Sequence, residues 1–71
     1  MTAQELALQV KQRRDTLRIS QQELADLSGI GVRTIYEIEK GIANPTLEVL
    51  NRLADVLGLE LQLHLKTIRN L

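Results

Sequence analysis

Residues 20–41 read SQQELADLSGIGVRTIYEIEKG, and this stretch decides the fold. Ser20 followed by Glu23 is a capping-box pattern, which is typical of a helix start. Gly29 can adopt the left-handed backbone conformation that commonly ends a helix. After a tight turn, a further helix is expected from about Val32 to Lys40, with Gly41 at its end. The spacing therefore predicts two short helices joined by a turn.

The apolar residues of this segment are spaced so that they can meet in one core. They are Leu24, Ala25, Ile30, Ile35 and Ile38. Off that apolar stripe, the second helix carries Val32, Arg33, Tyr36, Glu37 and Lys40. An exposed helix with polar and basic residues near its start is suited to the major groove of DNA.

Two further helices are predicted around this pair. Thr2 and Glu5 form a second capping-box pattern, and the helix it starts runs to about Thr16. Asn44-Pro45 marks a loop, after which Thr46 can cap a fourth helix that Gly58 closes. The apolar stripe of the fourth helix comprises Leu47, Leu50, Leu53, Ala54 and Leu57. Val49 and Val56 add a second stripe, which is either a wide core face or a dimer surface.

The hydrophobic period then changes from helical to alternating. Leucines at every second position alternate with polar residues over 59–66, which predicts a half-buried strand; they are Leu59, Leu61, Leu63 and Leu65. One strand cannot stand alone, and the sequence offers no second one. We therefore expect the strand to pair with the same strand of a second copy around a two-fold axis.

Together these patterns predict a mainly α fold of four helices plus one C-terminal β-strand that pairs across a homodimer. The expected organisation is a helix-turn-helix domain at 1–58, a dimerisation strand at 59–66 and a flexible tail at 67–71. A chain of 71 residues is enough for one domain. With a single aromatic residue, its core must be aliphatic.

Composition excludes several classes of site. The absence of cysteine rules out disulfides and thiolate metal sites. The one histidine, His64, falls on the polar face of the predicted strand, and no nucleophile–base set or metal cluster is visible. We therefore expect no enzyme activity, cofactor or metal. No apolar run approaches the ~20 residues needed to span a bilayer, and no signal peptide is evident. These features predict a cytoplasmic protein without membrane contact.

Charge is the main argument against nucleic-acid binding. Nine basic and nine acidic residues give a net charge of zero, whereas DNA-binding domains are often basic. The distribution partly answers this objection, because four basic residues fall within positions 11–18: Lys11, Arg13, Arg14 and Arg18.

A longer pattern carries a family resemblance. Residues 20–41 fit S-Q-x-x-L-A-x-x-x-G-x-x-x-x-x-I-x-x-x-E-x-G, and Asn44 to Leu47 fit N-P-[ST]-L. Over about residues 5–58 the chain resembles the Xre family, which includes the lambdoid phage repressors and Cro. The resemblance implies a lambda-repressor-like fold and sequence-specific binding to double-stranded DNA.

The resemblance also implies which residues would contact bases. Val32, Arg33 and Glu37 match positions where family members touch base edges. Arg33 would bind guanine, with a phosphate contact or a solvated side chain as the alternatives. Val32 would either meet a thymine methyl group or pack on the core. Glu37 would either accept from cytosine or pair with Arg33 one turn earlier.

Contacts to the DNA backbone and one structural pair follow from the same match. The expected backbone contacts are Gln21, Thr34, Tyr36, Lys40 and Asn44. Three of these have alternatives: a solvated Gln21, an inward-packed Tyr36 and an Asn44 that only forms the turn. Arg14 and Glu39 match an ion pair that joins the first and third helices in the family.

The run LELQLHL at residues 59–65 resembles the HipB-type antitoxins within the Xre family. That resemblance implies a homodimer that binds a palindromic operator, represses its own promoter and binds a HipA-type kinase toxin. The alternative is a stand-alone Xre/Cro-like phage or chromosomal regulator with no toxin partner.

Overall fold

The computed structural model describes residues 1–67 of the chain, and these residues contain four α-helices. The helices are α1 (Ala3–Thr16), α2 (Gln21–Ser28), α3 (Val32–Glu39) and α4 (Leu47–Leu57). The prediction of four helices is therefore confirmed. α3 packs against α1 and α2, and α4 packs against α2 and α1.

Side-chain caps start three of the helices, as their sequences predict. The Thr2 hydroxyl accepts from the Glu5 backbone N–H at 3.0 Å, while the Glu5 carboxylate accepts from the Thr2 N–H at 2.8 Å. Ser20 and Glu23 form the same reciprocal pair before α2, at 3.0 and 2.8 Å. Thr46 caps α4 through the Val49 N–H at 3.2 Å. These bonds satisfy backbone donors that a helix start leaves without partners.

The helix ends differ in the residue that adopts the left-handed conformation. Gly29, with φ +73°, follows α2, where a side chain would be strained. After α1 the same conformation falls on Arg18, with φ +58°. The Arg18 N–H donates to Asp15 O and the Ile19 N–H to Arg14 O, which is the hydrogen-bond pattern of a Schellman cap. α1 therefore ends in a Schellman motif in which arginine instead of glycine occupies the left-handed position.

The predicted core is present. All five apolar residues of the helix pair are buried with Val10, Leu53 and Leu57; they are Leu24, Ala25, Ile30, Ile35 and Ile38. Val49 and Val56 are half-buried and pack against this cluster, which favours the wide core face over a dimer surface. Leu47 was expected on the buried stripe of α4 but is 67% exposed, because it lies in the first turn at the edge of the core.

In the single chain, residues 59–67 have no regular secondary structure, so the strand predicted at 59–66 is not formed there. Its pairing across a homodimer stays a prediction. A β-ladder needs a second strand to accept and donate its backbone hydrogen bonds, and the described residues provide none. The four leucines are also divided. Leu59 and Leu61, at 37% and 41% exposure, lie beside an apolar groove between α1 and α4, whereas Leu63 and Leu65 are fully exposed. Of the expected tail at 67–71, Thr67 is exposed and residues 68–71 lie outside the described part.

Candidate nucleic-acid interface

α3 presents one buried face and one exposed face. Ile35 and Ile38 are almost fully buried, which fixes the rotation of the helix on the domain. Val32 and Tyr36 are 40% and 49% exposed on the other side, and the Arg33 side chain is 88% exposed. The helix therefore offers its first turn, and the turn after it, to a partner.

The N-terminus of α3 is chemically different from the other three helix starts. Its N-cap residue is Gly31, which makes no side-chain cap, and its first turn holds no acidic residue. α1, α2 and α4 each have both a side-chain cap and an acidic residue in the first turn. The backbone N–H groups at the start of α3 are consequently left without a side-chain acceptor, next to Val32 and Arg33.

Arg33 and Glu37 lie close together on the exposed face. Arg33 Nε is 3.6 Å from Glu37 Oε2, one helical turn away. Because the arginine side chain is largely in water, an ion pair of this kind stabilises little. The proximity nevertheless offsets the negative charge that Glu37 would otherwise present to DNA.

A buried polar group joins the three helices that form the site. Arg14 on α1 donates to both oxygens of Glu39 on α3, at 2.7 and 2.9 Å, and the two side chains are only 12% and 4% exposed. Gln21 on α2 donates to Glu39 Oε1 at 3.1 Å. Arg14 also donates to the carbonyl of Ile19 at 2.8 Å, in the segment that joins α1 to α2. A two-pronged arginine–carboxylate contact fixes both distance and orientation.

Electrostatics keep this group ionised. Burial by itself would raise the pKa of Glu39, but hydrogen bonds from Arg14 and Gln21 and the charges of Arg14 and Lys11 lower that pKa below its ordinary value. The hydrogen bond to Glu39 likewise raises the pKa of Arg14. Gln21 is thus held by a carboxylate that stays charged at neutral pH.

The other residues expected to contact the DNA backbone do not all lie around this buried group. The Lys40 ammonium lies 5.6 Å from the centre of the exposed Tyr36 ring, within cation–π distance, so Tyr36 does not pack inward. Thr34 is half-buried on α3, and Asn44 is exposed in the loop before Pro45. Gln21, Tyr36 and Lys40 line one concavity, whereas Asn44 lies apart from it.

The basic cluster seen in the sequence does not form a single patch. Arg13 turns toward α4, where its Nε donates to the carbonyl of Leu57 at 2.6 Å. Arg14 is engaged with Glu39, and Arg18 ends α1. Of the four, Lys11 and the buried Arg14 line the concavity with Tyr36 and Lys40. The sequence showed that these residues were neighbours along the chain but not that α1 turns them in different directions.

Two other kinds of site find no support in the described residues. Within residues 1–67 there is no group of three or more His, Cys, Asp or Glu side chains placed to hold a metal ion. In the same range, no helix has the length and apolar character needed to cross a membrane.

The fold and its exposed α3 face define a helix-turn-helix DNA-binding domain, and the comparisons with known proteins agree. The model of the helix-turn-helix family HTH_3 matches residues 10–63. An uncharacterized HTH-type transcriptional regulator of Methanothermobacter thermautotrophicus is 37% identical over 51 residues, which are 72% of this chain and 74% of the relative. The chain belongs to the helix-turn-helix family.

Proposed function

We propose that the protein is a dimeric, sequence-specific transcriptional repressor whose α3 enters the major groove of a palindromic operator. The observation that carries this proposal is the exposed face of α3, held by the buried contact of Arg14 and Glu39. A helix that reads DNA must be both accessible and rigidly placed, because base contacts tolerate little displacement. The relative from Methanothermobacter, named as a transcriptional regulator, supports the same class.

Each side chain on this face has a role in the proposal. Arg33 binds guanine, Val32 meets a thymine methyl group, and Glu37 either accepts from cytosine or orients Arg33. The exposure of Val32 and the 3.6 Å approach of Glu37 to Arg33 are compatible with these roles. The phosphate contacts are assigned to Gln21, Thr34, Tyr36, Lys40 and Asn44.

Selection of binding sites from a random duplex library, followed by titration with Arg33→Ala, tests this function. We expect one enriched sequence with two-fold symmetry, because a dimer reads two half-sites. Arg33→Ala should weaken binding to that sequence by about 1–3 kcal/mol and leave binding to unrelated DNA nearly unchanged. An equal loss on both duplexes would show that Arg33 contacts only phosphate. Failure to enrich any sequence would contradict sequence-specific binding.

We further propose that the repressor is the antitoxin of a HipBA-type operon and binds a HipA-type kinase toxin. The support is the resemblance of residues 59–65 to HipB, together with the full exposure of Leu63 and Leu65, which leaves an apolar segment for association. Coexpression with a kinase encoded beside this gene tests the idea by growth rescue. Arg33→Ala, which should weaken operator binding, is expected to retain rescue. If no kinase gene lies beside this gene, or if coexpression with that kinase gives no rescue, the stand-alone regulator is favoured.

A further inference from the structure

A shallow concavity of about 240 Å³ lies beside α3. Residues from three helices and from the end of α3 line it: Lys11, Arg14, Gln21, Tyr36, Glu39 and Lys40. Its position follows from the packing of α1 on α3. A side chain at Gly41 would approach the backbone of Gln4 to 3.7 Å, so the start of α1 meets the end of α3. Lys11 is seven residues after Gln4 and therefore lies on the same face of α1, two turns along.

The charge inside the concavity is positive. Within residues 1–67, the only carboxylate that lines it belongs to Glu39, and Arg14 neutralises that carboxylate through two hydrogen bonds. The charges of Lys11 and Lys40 remain, since among the described residues neither ammonium forms an ion pair within 4.0 Å. Both lysines are exposed and can reach a ligand without first breaking an ion pair.

The remaining lining groups are hydrogen-bond donors. Gln21 is the first residue of α2, and its amide nitrogen is oriented by Glu39 at 3.1 Å. The amide has a second N–H besides the one given to Glu39, and the Tyr36 hydroxyl can also donate. Two ammonium groups with neutral donors between them suit a singly charged anion that has several acceptor oxygens. A phosphodiester of DNA has this chemistry.

We infer that the concavity holds a backbone phosphate of bound DNA and that Lys11 is a DNA contact supplied by α1. The inference rests on the proposed function, because Tyr36 and Lys40 connect the concavity to the α3 face that would read the bases. Lys11 lies outside the two helices of the motif, so it extends the phosphate contacts beyond them. The contact positions the domain and carries no sequence information.

Titration of the selected operator and of an unrelated duplex, each over 50–200 mM salt, tests the inference. The variants are Lys11→Ala, Lys11→Arg and the matched control Arg52→Ala, which removes the same charge from the exposed side of α4, outside the concavity. Lys11→Ala should weaken binding to both duplexes about five- to tenfold at 0.1 M salt. The slope of log K against log salt should become shallower by about 0.9 for each protomer bound. Lys11→Arg should restore most of the affinity, and Arg52→Ala should change little.

The outcomes separate the two claims. If the wild type binds with a steep salt slope while Lys11→Ala behaves like Arg52→Ala, the contact from α1 is wrong and the proposed function stands. A loss confined to the operator would also overturn the inference, since a phosphate contact acts on both duplexes. If the wild type binds neither duplex, the proposed function itself fails. Thermal melting of each variant shows whether an affinity loss reflects unfolding, and Lys11→Gln provides a second folded test.

Discussion

At the scale of single residues, the site depends on an ionised carboxylate in a buried position, where burial by itself favours the neutral acid. The Glu39 side chain is 4% exposed and remains charged because Arg14 and Gln21 supply three hydrogen bonds to it. A buried pair of this kind contributes little net stability compared with an apolar pair, but loss of one partner strands the other. Its role is therefore to fix α3 against α1 and to orient Gln21.

Replacement of Glu39 by glutamine should change how stability depends on pH. The pKa of Glu39 is lowered in the folded protein, so its contribution is fully present above the ordinary value of 4.5 and is lost as pH falls through the folded pKa. Above pH 5, Glu39→Gln should be less stable than the wild type by about 2–3 kcal/mol. Below the folded pKa the difference should shrink. Urea unfolding across this range measures it.

Glu5 is a second acidic group that contributes to the pH dependence of stability. Hydrogen bonds from the Thr2 backbone and side chain lower the pKa of Glu5 too, so part of the acid sensitivity of the wild type comes from α1. This part is common to wild type and Glu39→Gln and cancels in their difference. A difference that stays constant from neutral to acid pH would show that Glu39 is not the titrating group.

Arg18 is the residue at which the chain is expected to gain stability. A residue other than glycine at φ +58° is strained by about 1 kcal/mol, and glycine relieves that strain. Arg18→Gly should therefore raise the free energy of unfolding by about 0.5–1 kcal/mol, measured by urea unfolding, despite the extra entropy of the unfolded chain. Arg18→Ala is the matched control: it removes the side chain but keeps the strain, and should change stability little. Equal effects of the two variants would contradict a backbone origin.

At the scale of elements, the four helices follow from local signals and are joined by long-range contacts. Thr2, Ser20 and Thr46 each start a helix through a bond to a backbone N–H three residues on. Such signals operate within one turn and are readable from sequence. The bond from Arg13 to the carbonyl of Leu57 spans 44 positions and is not readable in this way. It satisfies the end of α4 with a cation from α1.

Loss of this cap should loosen α4. Arg13→Ala removes a charged donor from a partly buried carbonyl, so we expect a loss of about 1–2 kcal/mol in the free energy of unfolding. Arg52→Ala is the matched control, because it also removes an arginine side chain, but one whose partner is the exposed carboxylate of Glu48, 3.0 Å away within α4. That pair should contribute less than about 0.5 kcal/mol. Equal losses from the two variants in urea unfolding would contradict the capping role.

At the scale of the whole molecule, the chain leaves apolar surface that a second copy would cover. Leu63 and Leu65 are fully exposed, and an apolar groove lies between α1 and α4. A small aliphatic core without disulfides gains from association. Pairing of the segment 59–66 across a two-fold axis would give its backbone groups hydrogen-bond partners and place two α3 helices on one duplex.

Substitutions on alternate positions of this segment test the dimer. Leu63→Ser/Leu65→Ser should shift the protein toward monomer in sedimentation, with the dimer Kd raised at least about a hundredfold, because both protomers lose two apolar contacts. Gln62→Ser/His64→Ser, on the opposite face of the expected strand, should leave the dimer intact. The helical content should remain in both variants, since Leu63 and Leu65 make no contribution to the core of a single chain. A wild type that is monomeric, or a dimer insensitive to the leucines, would contradict the model.

The sequence by itself determined the four helices, the side-chain caps of three of them and the glycine that ends α2. It also determined the five apolar residues of the helix pair that meet in the core. All of these depend on neighbours within one or two turns or on a regular period, which a linear pattern records. Only the tertiary structure decided that Arg13 leaves α1 toward α4 and Lys11 toward the concavity. The contact of Arg14 with Glu39, by contrast, was already expected from the family resemblance. The directions of Arg13 and Lys11 depend on which element packs against each face of α1. The alternating leucines show the converse limit: a period of two is typical of a strand, but its hydrogen bonds need a partner that residues 1–67 do not provide.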